Sequence, residues 1–204
     1  MGTARLHITK KHTGKMAGMQ SLSTSCKINP NCAKNALVKG SICAKCYAQR
    51  QMKVYKNLSP CLERNAEIVT SRVLEDNELP VINAAYFRFE SFGDLINTTQ
   101  VINYFNICKK NPDVHFALWT KNPHLIKDVA DQKPKNLQII LSSLLINKEA
   151  DKSNMPFIDK IFTVYDKETI AKDNIKINCG AKNCLKCHKC YVKGDTIKIN
   201  EEVK

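Results

Sequence analysis

LQIILSSL, residues 137–144, is a nearly continuous apolar run that ends in two serines. Such a run is typical of a strand buried on both faces, as found in the centre of a parallel sheet. Further strands are predicted on both sides of it, with the sequences VINAAYFRFE (81–90), VHFALWT (114–120) and IDKIFTVY (158–165). These four segments indicate an α/β fold class.

Helical periodicity fills the spaces between these strands. NTTQVINYFNICKKNP (97–112) is predicted to be a helix that closes at its Asn-Pro pair, and NPHLIKDVADQ forms the next one. A longer helical stretch begins at Tyr47 and breaks at Ser59-Pro60, where Ser59 is expected to cap a second helix. The alternation predicts a parallel sheet with crossover helices, either an open sheet or a partial (β/α) barrel. A complete eight-stranded barrel takes about 250 residues.

Size and composition predict a single domain over residues 1–204, with 43% hydrophobic and 25% charged residues. It divides into an N-terminal metal loop (26–46), an α/β core (47–170) and a C-terminal metal loop (179–190). No apolar run approaches the roughly 20 residues that a membrane helix needs, and no secretory signal is visible. We therefore expect no membrane association and a cytoplasmic location.

The net charge of +13 comes mostly from lysine, which supplies 27 of the 32 basic residues. The lysines are spread along the chain without a block of five or six, and arginine-led phosphate recognition is not visible. These features predict nucleic-acid binding that is weak and salt-sensitive, if it occurs at all.

The C-terminal cysteines lie in NCGAKNCLKCHKCY and comprise Cys179, Cys184, Cys187 and Cys190. Three cysteines at three-residue spacing converge in a tight loop, as in ferredoxin-type ligation of a [4Fe–4S] cluster, with Cys179 as the fourth ligand. Zinc favours two Cys-x2-Cys pairs a dozen or more residues apart, so it is the alternative here. His188 lies inside the loop and is expected to face solvent.

The N-terminal cysteines lie in SCKINPNCAKNALVKGSICAKCYA and comprise Cys26, Cys32, Cys43 and Cys46. The last of them opens a helix, where backbone amides and the helix dipole favour an anionic thiolate cluster. The spacing is less regular, so zinc competes more closely with a second [4Fe–4S] cluster. Cys61 and Cys108 have apolar neighbours and are predicted to be small core residues.

Parallel sheets bind ligands at the carboxyl ends of their strands, and three of these ends carry unusual polar residues. The candidate catalytic residues are Arg88, Asp94 and Lys121, and the candidate cofactor-binding residues are Ser91, Gly93 and Thr120. With Ser142 they are predicted to face one cavity beside the N-terminal cysteines. There Asp94 and Lys121 are expected either to hold a charged small molecule or to pair with one another. The alternative is that they are exposed turn residues pointing in unrelated directions.

Several short motifs also carry a resemblance to a known family. They are Gly-Lys-Met near the N-terminus, Cys43-x2-Cys46-Tyr47-Ala48, Arg64-Asn65, Arg88-x4-Gly93-Asp94, Phe116-x3-Thr120-Lys121 and the terminal cysteine cluster. In this order the chain resembles a phage and mobile-element family known as gene product eighty-eight, over about residues 12 to 192. The resemblance implies a protein that is phage-encoded or located in the host cell cytosol. The same signatures are similar to those of radical S-adenosylmethionine proteins, which implies S-adenosylmethionine as a cofactor.

The chain departs from the radical enzymes in one respect. They hold their cluster with Cys-x3-Cys-x2-Cys, which leaves one iron open, whereas four cysteines would close each cluster here. The sequence therefore predicts an iron–sulfur protein with two [4Fe–4S] clusters and redox or radical chemistry. The alternative is a non-enzymatic basic protein, stabilised by zinc or clusters, that binds nucleic acid or a host protein. A plain electron carrier ranks lowest, because it does not need an α/β domain of this size.

Overall fold

The computed structural model describes residues 5–180 and 183–203 and contains a six-stranded sheet in which all neighbouring strands are parallel. The α/β prediction is confirmed, and the sheet is open. The strands are β1 (Gln20–Leu22), β2 (Tyr86–Phe89), β3 (His115–Thr120), β4 (Leu137–Ser142), β5 (Lys160–Tyr165) and β6 (Lys198–Glu202). Each strand pairs with the next one along the chain, so all carboxyl ends lie at one edge.

Seven α-helices and four 3-10 turns connect the strands within the described residues. The helices are α1 (Pro30–Ala36), α2 (Tyr47–Val54), α3 (Leu58–Ser71), α4 (Thr98–Lys110), α5 (His124–Lys127), α6 (Lys167–Lys172) and α7 (Cys184–Cys187). The 3-10 turns span Gly14–Met16, Ile42–Lys45, Asp76–Glu78 and Ala130–Gln132. None of the helices described is both long enough and apolar enough to cross a membrane.

The main core lies on one face of the sheet, where α3, α4 and α5 cover alternate strand residues. Phe89 stacks on Tyr104 of α4 at 4.2 Å and on Phe116 of β3 at 5.3 Å between ring centroids. These three side chains are almost completely buried, so their contacts couple the helices to the central strands.

The second face of the sheet is covered by two segments, one before β1 that contains the 3-10 turn Gly14–Met16 and one before β6 that contains the short helix α7. Met19, from the N-terminal segment, and Tyr191, from the C-terminal one, pack against Ala117 and Ile140 of the central strands. Cys184 and Cys190 border the same cluster. The C-terminal cysteine segment is thus part of the folded body and not a free tail.

Two strands and one helix boundary differ from the sequence prediction. β1 has only three residues, and β6 has the polar sequence KINEE, so neither shows a strand-like apolar pattern. The predicted cap at Ser59 is wrong: α3 begins at Leu58 with Asn57 in the cap position, and Ser59 donates to Glu63 instead. Pro60 does lie in the first turn, where its missing N–H costs no helical hydrogen bond.

Candidate functional site

The carboxyl edge of the sheet gathers the segments that follow β1, β2 and β3. Thr24 follows β1, Glu90 and Asp94 follow β2, and Lys121 follows β3. Thr24, Glu90 and Asp94 are buried polar residues, and every buried polar group must find a partner. The hydrogen bonds among them therefore define the geometry of this edge.

Asp94 is the centre of the edge. Its carboxylate accepts hydrogen bonds from the Thr120 hydroxyl at 2.6 Å, from the Lys121 backbone N–H at 2.9 Å and from its own neighbour, the Leu95 N–H, at 2.7 Å. Burial raises the pKa of Asp94, while the Lys121 charge and these hydrogen bonds act in the opposite direction. Asp94 thus joins the ends of β2 and β3.

Lys121 extends from Asp94 towards the next strand. Its ammonium group donates to the Ser142 hydroxyl at 3.0 Å, at the end of β4. The same positive charge acts to lower the pKa of Cys43 and Cys46. The structure therefore brings Asp94, Lys121 and Ser142 together beside the N-terminal cysteines.

Glu90 is a second buried carboxylate at this edge, and its backbone has a φ of 56°. A positive φ in a buried, non-glycine residue is a strained conformation that the surrounding contacts must hold. Glu90 accepts hydrogen bonds from the Thr24 N–H at 3.1 Å, the Gln100 amide at 2.7 Å and the Tyr104 hydroxyl. Burial raises the pKa of Glu90 to about 7 in spite of these donors.

Ser91 and Gly93 serve the packing of this edge. The Ser91 hydroxyl lies 3.0 Å from that of Ser21 and 2.8 Å from that of Ser23, and its carbonyl accepts from the Tyr47 hydroxyl. A Cβ on Gly93 would lie 2.5 Å from the Thr24 backbone oxygen, so this position requires glycine. Ser91 and Gly93 are thus committed to contacts within the protein, as is Thr120, the third candidate cofactor-binding residue, through its hydrogen bond to Asp94.

The N-terminal cysteine loop is anchored on this edge. The Asn29 side chain caps α1 and donates to the Asp94 carbonyl at 2.9 Å, and the Ile42 N–H donates to the Leu144 carbonyl at 3.0 Å. Both contacts hold the loop against the strand ends, so the four cysteines lie beside Asp94 and Lys121.

The N-terminal thiols interact with one another. A hydrogen bond with Cys46 raises the pKa of Cys26 and lowers that of Cys46 to about 6. Burial raises the pKa of Cys32, and the negative charges of Asp94 and of the neighbouring Cys43 add to this effect. Crowded thiols of this kind ionise together only when a cation or a metal offsets their charge.

The C-terminal cysteines line one cavity of about 220 Å³. Its wall contains all four thiols together with Lys15 and Tyr191. Burial raises the pKa of Cys179 and Cys184, and that of Cys190 to about 12. The Glu201 carboxylate adds to this effect at Cys179 and Cys184, while the charges of Lys15 and Arg88 act in the opposite direction. Residues 181 and 182 of the predicted loop lie outside the described residues.

Two residues beside this cavity were not found from the sequence. Lys15 forms an ion pair with Glu201, although 186 residues separate them, and its ammonium group lies 3.8 Å from the Cys179 sulfur. Only the pairing of β6 with β5 brings Glu201 to this position. The contact between Lys15 and Glu201 therefore cannot be predicted from a local sequence pattern.

Arg88 lies apart from the other candidate catalytic residues. It projects from β2 onto the second face, with its guanidinium 3.9 Å above the Trp119 ring and its Nε buried without a hydrogen-bond acceptor. The nearby thiols are those of Cys184 and Cys190. The single predicted cavity is therefore divided: Asp94 and Lys121 face the N-terminal cysteines, and Arg88 faces the C-terminal ones.

The remaining cysteines and His188 have their own surroundings. Cys108 is buried in the main core, whereas Cys61 is half-buried on α3. His188 is exposed, adopts a left-handed backbone conformation and stacks on Tyr86 at 5.6 Å.

The spacing of the cysteine sulfur atoms indicates whether they suit a single metal ion or a polynuclear cluster. Among residues 5–180 and 183–203, no three Cys, His, Asp or Glu side chains lie close enough together to hold one metal ion. Thiolates on a single zinc ion lie about 3.8 Å apart, because each Zn–S bond is about 2.3 Å. The C-terminal thiols instead surround a space of about 220 Å³, which fits a polynuclear group better.

Comparison with known proteins gives one relationship. No curated protein and no solved structure matches the chain. The family model described as Gene product 88 matches residues 3–200, nearly the full length. The radical S-adenosylmethionine features implied by the short motifs gain no support from this match. The chain belongs to the Gene product 88 family.

Proposed function

We propose that the protein is an iron–sulfur protein that holds one [4Fe–4S] cluster at each cysteine set and uses them in redox chemistry. The observation that carries this proposal is the C-terminal cavity, whose wall contains all four thiols of its set. Cys179, Cys184, Cys187 and Cys190 would hold one cluster, and Cys26, Cys32, Cys43 and Cys46 the other. A bound cluster supplies one-electron transfer.

Positive charges support the proposal because thiolate clusters are anionic. Lys15 and Arg88 lie beside the C-terminal thiols, and Lys121 lies beside the N-terminal ones. A nearby cation favours the thiolate form and therefore metal ligation. Each cysteine set thus has its own counter-charge, supplied by a residue distant in sequence.

The surroundings of Cys190 also control access of water. Tyr191 is buried, packs edge-on against Trp119 at 5.9 Å and lies against Tyr86 at 5.6 Å. Burial of a cluster in apolar surroundings is one of the levers that set its reduction potential. Four cysteines per set leave no position for S-adenosylmethionine on the metal, so we propose redox rather than radical chemistry.

Anaerobic reconstitution of the full chain with iron and sulfide tests the proposal. We expect a brown protein with broad absorbance near roughly 400 nm and about eight iron atoms per chain, four for each cluster. Reduction with dithionite should bleach this absorbance. The matched control is Cys61→Ser, which changes a half-buried cysteine outside both sets and should leave the iron content unchanged.

Two outcomes would contradict the proposal. A colourless protein that binds about two zinc ions with higher preference than iron would support structural zinc sites instead. Cleavage of S-adenosylmethionine by the reduced protein would show that one set leaves an iron open, and would restore the radical alternative.

A further inference from the structure

The positive charge of the protein is concentrated at its amino-terminal end. Residues 1–62 contain 11 basic residues and no acidic residue, whereas residues 63–204 contain 21 basic and all 19 acidic residues. Almost the entire net charge of +13 therefore belongs to the first 62 residues. The expectation of a diffuse charge does not describe this distribution.

The densest part of this charge lies in one contiguous segment of the chain, whose basic side chains are exposed to solvent. The basic surface comprises residues 27–57, which form α1, the 3-10 turn Ile42–Lys45 and α2. Its seven basic side chains are all exposed: Lys27, Lys34, Lys39, Lys45, Arg50, Lys53 and Lys56. Of these seven side chains, only Lys27 forms an ion pair among the described residues, with Glu63 at 3.9 Å, so the other six have no acidic partner there.

Aromatic and apolar side chains are exposed among these cations. Tyr55 is 61% exposed, Tyr47 47% and Leu37 89%. Within α2, Ala48 is buried and Met52 half-buried, and the other six residues are exposed. Tyr47, Arg50 and Val54 share one face of α2, since residues three and four apart lie on the same side of a helix.

We infer that the basic surface is a docking surface for single-stranded nucleic acid. Unpaired lysines neutralise phosphates, and exposed tyrosine rings give platforms on which bases stack. One arginine among seven cations provides little bidentate reading of base edges, so binding is independent of sequence. The segment also contains Cys32, Cys43 and Cys46, but the proposed contacts use only lysine, arginine and tyrosine side chains, so the inference requires no bound metal.

The surface fits a single strand better than other polyanions. A membrane-bound helix needs a continuous apolar face, whereas α2 has eight residues in which basic and apolar side chains alternate. Duplex DNA hides its bases, so it leaves the exposed tyrosine rings without stacking partners. Charge alone would suit an acidic protein, but the tyrosines would again have no specific role.

Fluorescence anisotropy with a labelled oligothymidylate of about 20 nucleotides tests the inference on the full chain, from about 50 to about 200 mM salt. The triple variant Arg50→Gln, Lys53→Gln, Lys56→Gln should bind at least about tenfold more weakly at the lower salt. Its slope of log affinity against log salt should be smaller by about 2, because each lost phosphate contact removes about 0.7.

The matched control removes three other exposed lysines, Lys127, Lys135 and Lys172, with the same change to glutamine. It has the same net charge as the test variant and should bind within about twofold of the unchanged protein. Equal loss of affinity in both triple variants would show a diffuse charge effect and would overturn the inference.

Stacking is tested separately at Tyr55. Tyr55→Ala should weaken binding by roughly fivefold or more, and Tyr55→Phe should restore it, because the ring and not the hydroxyl stacks. Equal or tighter binding of the duplex, of phosphatidylserine vesicles or of polyglutamate would also overturn the assignment. Iron content is measured on every variant, so failure of the metal proposal is distinguishable from failure of this one.

Discussion

The two cysteine sets use the same side chain but are held in place by different forces. The N-terminal set lies on a buried polar network, in which Asp94 and Glu90 accept hydrogen bonds from several strand ends. The C-terminal set packs on an apolar and aromatic cluster and surrounds an open cavity. A buried polar network becomes costly when one of its groups loses its hydrogen-bond partner. Substitutions around the N-terminal set should therefore cost more stability than substitutions around the C-terminal set.

The largest expected effect separates the two sets completely. Cys184→Ser should remove about four iron atoms and leave the N-terminal cluster, and Cys46→Ser should do the reverse. Iron and sulfide analysis of both variants after identical reconstitution measures this. If either substitution empties both sets while circular dichroism shows a folded protein, the two sets are not independent sites.

The next effect tests the polar network. Asp94→Ala leaves the Thr120 hydroxyl and two backbone N–H groups without their acceptor, and buried donors of this kind cost 1–3 kcal/mol each. We expect a loss of about 4 kcal/mol in the free energy of unfolding, measured with urea. The control is Asp113→Ala, which lies exposed before β3 and should change stability by less than about 0.5 kcal/mol.

The pH dependence of stability reports on Glu90. Its pKa is about 7 in the folded protein against an ordinary value of 4.5, so the native state binds a proton that the unfolded chain has released. The contribution of Glu90 to stability should therefore be fully present below about pH 4.5 and should be lost, by up to about 3 kcal/mol, as the pH rises through about 7.

Glu90→Gln should remove that part of the pH dependence, whatever its baseline stability. Urea unfolding of both proteins at about pH 5 and about pH 8 gives the comparison, with Glu67→Gln as an exposed control. A variant that keeps the full pH dependence of the unchanged protein would assign it to another group.

The smallest expected effects come from substituting one glycine beside each cysteine set, Gly93 near the N-terminal set and Gly18 near the C-terminal set. Gly93→Ala places a Cβ 2.5 Å from the Thr24 backbone oxygen and should cost about 2 kcal/mol. Gly18→Ala meets only the end of the Leu185 side chain at 2.8 Å, at a φ of +80°, and should cost about 1 kcal/mol. Gly194→Ala, in open space, is the control. A larger loss for Gly18→Ala than for Gly93→Ala would reverse the ranking of the two regions.

The central strands could be predicted from the sequence, because a strand that is buried on both faces has a continuous apolar run, as in β4. The proximity of Asp94 and Lys121 could also be predicted, since parallel strands place their carboxyl ends at one edge of the sheet. β6 was missed because an edge strand with the sequence KINEE needs no such run.

The candidate site was predicted less completely. Arg88 was assigned to the carboxyl edge because it lies close to the end of β2 in the sequence. Side chains of a strand point alternately to its two faces, and Arg88 points to the second face of the sheet. The partners of the C-terminal cysteines, Lys15 and Glu201, come from opposite ends of the chain and meet only through the sheet. The charge asymmetry that marks the basic surface was visible in the sequence, in the absence of any acidic residue before Glu63.

Strand order also bears on the sequence of events during synthesis. A sheet whose strands pair in chain order can grow from its amino-terminal edge as the polypeptide leaves the ribosome. The N-terminal cysteines need only the ends of β1 to β4, so they can be assembled while the rest of the chain is still being translated. The Cys179 N–H donates to the Asn200 carbonyl at 3.0 Å in β6, which is synthesised after all eight cysteines of the two sets. Maturation of the second set is therefore expected to wait for the synthesis and docking of β6.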